Sequence, residues 1–306
     1  MLIDTHCHIH DKETYDFALS RQQISQKFLK SHPGYPYQES DFTPDKIINR
    51  AHQNNVLQMI CVGTSNEDSI LARDFAREHA KEGVFWSYGI HPDEADNIES
   101  RDIFRSDPIW PTGSGRSEGS PVMTGRAERV TREIFNSPNL VAIGEVGLDY
   151  REGKPREGVA ETSNQIKLLE QMLQLATDCK LPLIFHVRDA FDDFFAVINN
   201  FPKIKGVVHS FSDSPANLKK ALDRDFYVGV NGLVTFAKDV PLPPLERMLL
   251  ETDAPFLTPA PFRGTINEPA HIKDICAYIS VTLGIKEAEV EGRTTENAKR
   301  LFRLPE

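Results

Sequence analysis

No stretch of this chain stays apolar for the ~18 residues that span a bilayer. Its opening, Met1-Leu2-Ile3-Asp4, holds neither the basic segment nor the apolar run of a secretory leader. These absences speak against a membrane or exported protein, and a soluble, cytoplasmic one is expected. Cysteine is scarce. Cys7, Cys61, Cys179 and Cys276 are far apart and form no C-x-x-C pair, which argues against a disulfide framework or a zinc ribbon. Reduced thiols in or near the core are expected instead. Positive charge is in deficit: 35 Lys and Arg face 45 Asp and Glu, a net charge of −10. That balance argues against a protein that coats nucleic acid through a basic face. It leaves room for a nuclease whose bound cations neutralise the phosphate. Nothing in the sequence points to an obligate protein partner.

What is present is a rhythm. Eight short apolar, β-branched-rich runs recur: Met1–Ile3, Val56–Val62, Val84–Ile90, Leu140–Ile143, Leu181–Phe185, Gly206–Val208, Phe226–Val230 and Met248–Leu250. Near-continuous apolarity fits strands buried on both faces, as in a parallel sheet. Helical patterns lie between most of them. Thr43-Pro44 reads as an N-cap followed by proline at the first helical position. Asn66 opens a helix to about Lys81, and Ser163–Lys180 carries Ile166, Leu169, Met172, Leu173 and Ala176 on one face. Ala190–Asn200 and Pro215–Arg224 follow the next two strands. Eight strand–helix alternations predict a (β/α)₈ TIM barrel, an α/β fold that fills residues 1–306 as a single domain. Two stretches break the rhythm and are expected to be flexible insertions, 30–41 and the Gly/Ser/Pro-rich 107–125.

The polar residues just beyond the apolar runs carry the chemistry. His6 and His8 follow the first run, His91 the third and Glu145 the fourth. His186 and Arg188 follow the fifth, His209 the sixth and Asp253 the eighth. In a barrel these strand ends converge on one face, where barrel enzymes place their sites. His6 and His8, two apart on a strand, point to the same side and suit one ion. Glu145 has two oxygens and could bridge two ions, with His186 and His209 completing the second. Asp253 could bind metal and accept a proton from water. Imidazole and carboxylate suit a borderline or hard divalent cation. A lone strand-end histidine is more often structural. Six such residues, each at the same end of a strand, would be costly to bury without a metal to satisfy them. The other histidines, His10, His32, His52, His79 and His271, are expected to face solvent from loops or helices. Phe191, Phe194 and Phe195 fall at helical spacing and read as core.

At these residues the sequence resembles the TatD family of metal-dependent deoxyribonucleases, within the amidohydrolase-like barrel hydrolases. The matching stretches are Ile3–His8, Gly89–Pro92, Gly144–Tyr150, Phe185–Ala190, His209–Ser212 and Leu249–Pro259, with Asn267-Glu268-Pro269 and Asn297 toward the end. The resemblance implies that His6, His8, Glu145, His186, His209 and Asp253 bind two divalent metal ions. It implies that Asp253 and Glu145 are the catalytic carboxylates and that His91 and Arg188 line the substrate site. It implies 3′→5′ exonuclease action on DNA, at single strands or 3′ ends, usually with Mg²⁺. The histidine-rich donor set by itself favours Zn²⁺ or Mn²⁺. In the expected reaction a metal-activated water attacks phosphorus, Arg188 clamps the phosphate and Asp253 takes the proton. Two alternatives remain: a metal-dependent amidohydrolase or esterase acting on a small metabolite, and a binding protein on a retained barrel.

Overall fold

The computed structural model describes residues 1–24, 26–32, 34–36, 38–96, 137–151 and 158–306. The stretch 107–125, expected to be a flexible insertion, lies outside the described residues.

Eight parallel strands form one sheet in the order of the sequence, each paired with the next. They are β1 Leu2–Cys7, β2 Val56–Val62, β3 Val84–Tyr88, β4 Leu140–Asp149, β5 Leu183–Arg188, β6 Gly206–Val208, β7 Tyr227–Val230 and β8 Met248–Leu250. A parallel bridge between Cys7 and Ala254 brings the first strand back to the last. The described helices are α1 Lys12–Arg21, α2 Gln26–Ser31, α3 Pro44–Gln53, α4 Asn66–Glu78, α5 Gly158–Cys179, α6 Phe191–Ile198, α7 Pro215–Asp223, α8 Ile272–Leu283 and α9 Glu287–Phe302. This is the (β/α)₈ barrel that the rhythm predicted. Among the described residues, no helix is long and apolar enough to cross a membrane.

Local chemistry sets the helix starts. Ser65 caps α4 by accepting from the Asp68 amide, and Ser214 caps α7 with Pro215 at the first helical position. Thr43 precedes Pro44 as expected, but its hydroxyl makes no capping bond.

Alternation along each strand divides the core into two layers. Outward residues such as Met59, Cys61, Tyr88, Val146, Phe185 and Met248 pack under the helices together with Phe191, Phe194 and Phe195. Inward residues Ile3, Ile60, Phe85, Ala142, Ile184, Val207, Tyr227 and Leu249 fill the barrel. Ala298, Leu301, Phe302 and Leu304, at the end of α9, join this inner layer and stopper the N-terminal mouth. The cleft therefore opens only where the strands end.

Two elements brace the loop that follows β8. Arg50 of α3 holds Glu268 through Nε, at 2.9 and 2.8 Å from its two carboxylate oxygens. Asn267, fully buried, donates Nδ2–H to the carbonyls of Thr252 and Phe256 at 2.8 and 2.6 Å. The 30–41 stretch has more structure than expected of a flexible insertion. Tyr35 stacks on Phe262 and its hydroxyl bonds Thr265 Oγ1 and His271 Nε2, both at 2.9 Å.

Candidate metal centre

The C-terminal strand ends gather the polar residues into one cleft of about 930 Å³, lined among others by His8, His91, Glu145, His186, Arg188, His209 and Asp253. β1 carries His6 and His8 to the mouth. Asp4 fixes their strand against the segment after β8: its carboxylate accepts from the Thr252 amide at 2.9 Å and the Thr252 hydroxyl at 2.5 Å. Burial drives the Asp4 pKa up to about 7, against these bonds. Asp253 is placed by its own amide, which donates to the His6 carbonyl at 2.8 Å.

The donor atoms lie close together. His6 Nε2 is 3.2 Å from His8 Nε2 and 3.6 Å from Asp253 Oδ1, and His8 Nε2 is 3.5 Å from the same oxygen. Glu145 Oε1 lies 2.6 Å from His186 Nδ1 and 2.7 Å from His209 Nε2. Its other oxygen lies 3.5 Å from His6 Nε2. The His6 and His209 rings stack at 4.1 Å. Three sets among the described residues, His6/His8/Asp253, His6/Glu145/His209 and His91/Asp149/His186, each hold their donor atoms within 4.8 Å of one another.

This donor set fits divalent cations. The His6 and His8 nitrogens, 3.2 Å apart, can share one proton, but Asp253 Oδ1 also faces both at 3.6 and 3.5 Å, and a cation would take up all three lone pairs at once. His6 Nδ1 and His209 Nδ1 are buried without a hydrogen-bond partner. Such orphaned atoms are expensive in a low-dielectric site, a cost that a strong ligand bond at the ring's other nitrogen would offset without satisfying them.

Electrostatics follow from the same crowding. Burial opposes charge on Glu145, but the His209 and His186 rings hold its carboxyl well below the usual range. Burial likewise opposes charge on His186, yet bonds to Asp149 and Glu145 push it up to about 9. His8 is raised by Asp253, against its burial, and His209 by Glu145. His6, buried and facing His209, falls to about 4. Burial also raises Asp253, but His8, His6 and His209 outweigh it and keep the carboxyl ionised. The cluster thus favours a proton on His8, His186 and His209 and disfavours one on His6.

All eight residues singled out in the sequence reach the cleft or its floor. His91 sits slightly aside. Its Nδ1 accepts from the Asp93 amide at 3.1 Å, and its Nε2 is 3.8 Å from Glu145. Arg188, the last residue of β5, is exposed at the rim. The sequence reading missed a supporting layer. Asp149 Oδ2 lies 3.2 Å from His186 Nε2 and accepts from Arg151 Nη2 at 2.7 Å. Glu251 lies beneath His209, 3.8 Å from Nδ1, and accepts from the Ser210 amide. Gly229 leaves room for that carboxylate, since a Cβ there would stand 2.2 Å from it. Burial lifts Glu251 to about 8. One expectation is corrected: His10, His79 and His271 do not face solvent. His10 is sealed under the cleft, bonded to Asp68 at 2.9 Å, because Thr64 and the start of α4 bring that carboxylate beneath it.

An eight-stranded parallel barrel whose C-terminal mouth holds clustered imidazoles and carboxylates defines a class, the metal-dependent barrel hydrolases. Comparison with known proteins narrows it. The family described as TatD related DNase matches residues 3–303. The chain belongs to that family. It is 28% identical over 313 residues to an uncharacterized metal-dependent hydrolase, YabD, of Bacillus subtilis, covering 99% of this chain and all of that one. It is 29% identical over 274 residues to the 3′-5′ ssDNA/RNA exonuclease TatD of Erwinia tasmaniensis, covering 85% of this chain and 93% of that one. The crystal structure of YjjV, a TatD homologue of Escherichia coli, matches its fold with a TM-score of 0.72 at 22% identity, over 99% of this chain and 98% of that one.

Proposed function

We propose that this metal-dependent hydrolase is a phosphodiesterase that removes nucleotides from the 3′ end of single-stranded nucleic acid, DNA foremost, in the cytoplasm. We further propose that two divalent cations occupy the centre, one held by His6, His8 and Asp253 and one by His186 and His209, with Glu145 between. The observation that carries this reading is the Glu145 carboxylate: one oxygen serves His186 and His209 while the other faces His6. A carboxylate with its oxygens turned to two donor sets has the geometry of a bridge. Bound cations would supply an acidified water and charge to offset the phosphate. The exonuclease names borne by relatives support the choice of substrate.

The chain's own residues do the rest. Asp253, ionised and with Oδ1 3.5 Å from His8 Nε2, is the carboxylate that takes a proton from the attacking water. Arg188 at the rim offers a planar fork to the phosphate oxygens. His91, held neutral by burial and by the neighbouring His186, donates or accepts a hydrogen bond without adding charge. Asp149 holds the His186 ring in its orientation.

The test is a purified-protein assay on 3′- and 5′-labelled single strands with Mg²⁺, Mn²⁺ or Zn²⁺, paired with elemental analysis. Stepwise shortening from the 3′ end with about two ions per chain is expected. Absence of any strand shortening in metal-loaded protein refutes the reading. A second reading, hydrolysis of a C–N or ester bond in a small metabolite, draws on the acidic rim of Asp11, Asp93, Glu94, Asp189 and Asp213, which disfavours long polyanions. Turnover of amides or esters with no action on strands would select it.

A further inference from the structure

The cleft is not uniform around its rim. On the side of β4 and β5 it is charged, with Asp93, Arg151, Arg188 and Asp189. On the side of β7 and β8 it is apolar, with Leu233, Phe256 and Leu257. Phe256 stands out there. It is 39% exposed, although it lies only three residues beyond Asp253. Its backbone is pinned from both directions. Its amide donates to the Asp253 carbonyl at 2.9 Å, and its carbonyl accepts from the buried Asn267 side chain at 2.6 Å. The next residue, Leu257, takes a left-handed φ of +56°. Its carbonyl presses so close to Gly232 that a Cβ there would stand 2.0 Å away. The loop therefore cannot fold this ring into the core. An aromatic face held rigidly at the edge of a polar cleft is a surface on which a planar, apolar group gains burial at little entropic cost.

Resting on the nuclease reading above, we propose that Phe256, with Leu233 and Leu257 beside it, forms a subsite that stacks the terminal nucleobase of the strand. The phosphodiester then lies over the His/Glu/Asp cluster, and the following phosphate runs toward Arg188 and Arg151. The ring fits this task because every base has a π-face, so stacking holds any of the four without choosing among them. It also accounts for an acidic protein taking a nucleic acid: the apolar contact supplies affinity that surface charge does not. The division of labour is sharp in space. Asp253 and Phe256 belong to one braced loop, so a base on the ring sets where the scissile bond meets the carboxylate.

The experiment compares wild type, Phe256→Ala and Phe256→Trp on two labelled single strands, one with a normal 3′-terminal nucleotide and one whose 3′-terminal residue is abasic. Phe256→Ala should raise KM on the normal strand by roughly 5- to 100-fold, the range expected for one lost base–aromatic stack. KM on the abasic strand should hardly move. Phe256→Trp should keep a KM near wild type, and its added indole emission should be quenched by the normal strand but not by the abasic one. An equal change on both strands, or no change on either, overturns the subsite. If wild type shortens neither strand, the nuclease reading fails. The indole quenching still reports on the base contact, and its absence then overturns the inference separately.

Discussion

Replacing Asp253 by asparagine separates catalysis from folding more cleanly than any other change at this centre. The reason is backbone geometry. Asp253 has φ +58°, in the left-handed region. Alanine would pay a steric penalty there, of the order of 1 kcal/mol, and confuse the result. Asparagine is among the residues that tolerate this conformation best. The Asp253 amide can keep its 2.8 Å bond to the His6 carbonyl, and the Phe256 amide its bond to the Asp253 carbonyl. What disappears is a negative charge and a proton acceptor 3.5 Å from His8 and 3.6 Å from His6.

The expected loss in kcat on single-stranded DNA is about 10²–10⁴-fold, the scale of general acid–base catalysis. That corresponds to roughly 2.7–5.4 kcal/mol on the barrier. Because Asp253 is also a proposed ligand, kcat must be measured at saturating metal, with occupancy checked by elemental analysis on the same sample. Melting temperatures should be compared in chelator, where lost metal binding cannot contribute, and should agree within a few degrees. A fully metal-loaded Asp253→Asn protein with kcat within about threefold of wild type would refute the reasoning and remove Asp253 as base.

Three further outcomes are expected. Asp149→Asn weakens the hold on the His186 ring and should lower metal affinity by about 10–100-fold, measured by competition with a chromogenic chelator; unchanged affinity would leave Asp149 without a positioning role. In chelator, stability should fall as pH rises from about 6.5 to about 9. The folded-state pKa values of His186, at about 9, and Glu251, at about 8, lie above their ordinary values of 6.5 and 4.5, so their contribution is complete below those values and lost as pH rises through the folded ones. Asp4, raised to about 7, and His10, raised to about 10, add to the same fall. Urea midpoints across this range check it, and a flat or rising profile would contradict it. Phe302→Ala, in the stopper of the N-terminal mouth, should lose about 3–5 kcal/mol in urea denaturation while kcat per folded molecule stays put; a matching fall in kcat would mean that the stopper shapes the cleft.

Hydrophobic patterning revealed the strands but cut several short, and the reason is instructive. The first run stops at Ile3, whereas β1 continues to Cys7; the fourth stops at Ile143, whereas β4 continues to Asp149. In both, residues of the candidate metal centre lie in the part that was missed or just past it: His6 in β1 with His8 beyond it, and Glu145 in β4. A strand read by apolarity ends where its function begins. The six proposed ligands were legible because they follow five of the runs at the same end, His6 and His8 sharing the first. Asp149 was less so, although it shares a strand with Glu145 and lies four residues on, with side-chain parity toward the same face. Taking β4 to its full length in the sequence would have found it.

His10 could not have been found in that way. It is two residues past His8, in a stretch with no regular pattern, and nothing nearby in sequence forces it inward. Its partner Asp68 is 58 residues away, and the contact exists only because the β2–α4 turn folds under the cleft. Burial disfavours charge on His10, yet the Asp68 bond and the Cys61 thiol beside it raise its pKa to about 10. Asp68, paired in return and bonded to the Thr64 amide and hydroxyl at 2.8 and 2.9 Å, drops to about 2. The pair is therefore charged across the neutral range, with the His10 ring sealed from water and Asp68, partly exposed, held by three donors. Removing Asp68 would strand the His10 charge in a buried site, which costs more than the pair itself contributes. Ligands at strand ends follow from the period of the fold and can be read along the chain. Buried ion pairs that brace them follow from which loops meet in space, and only the folded barrel brings those together.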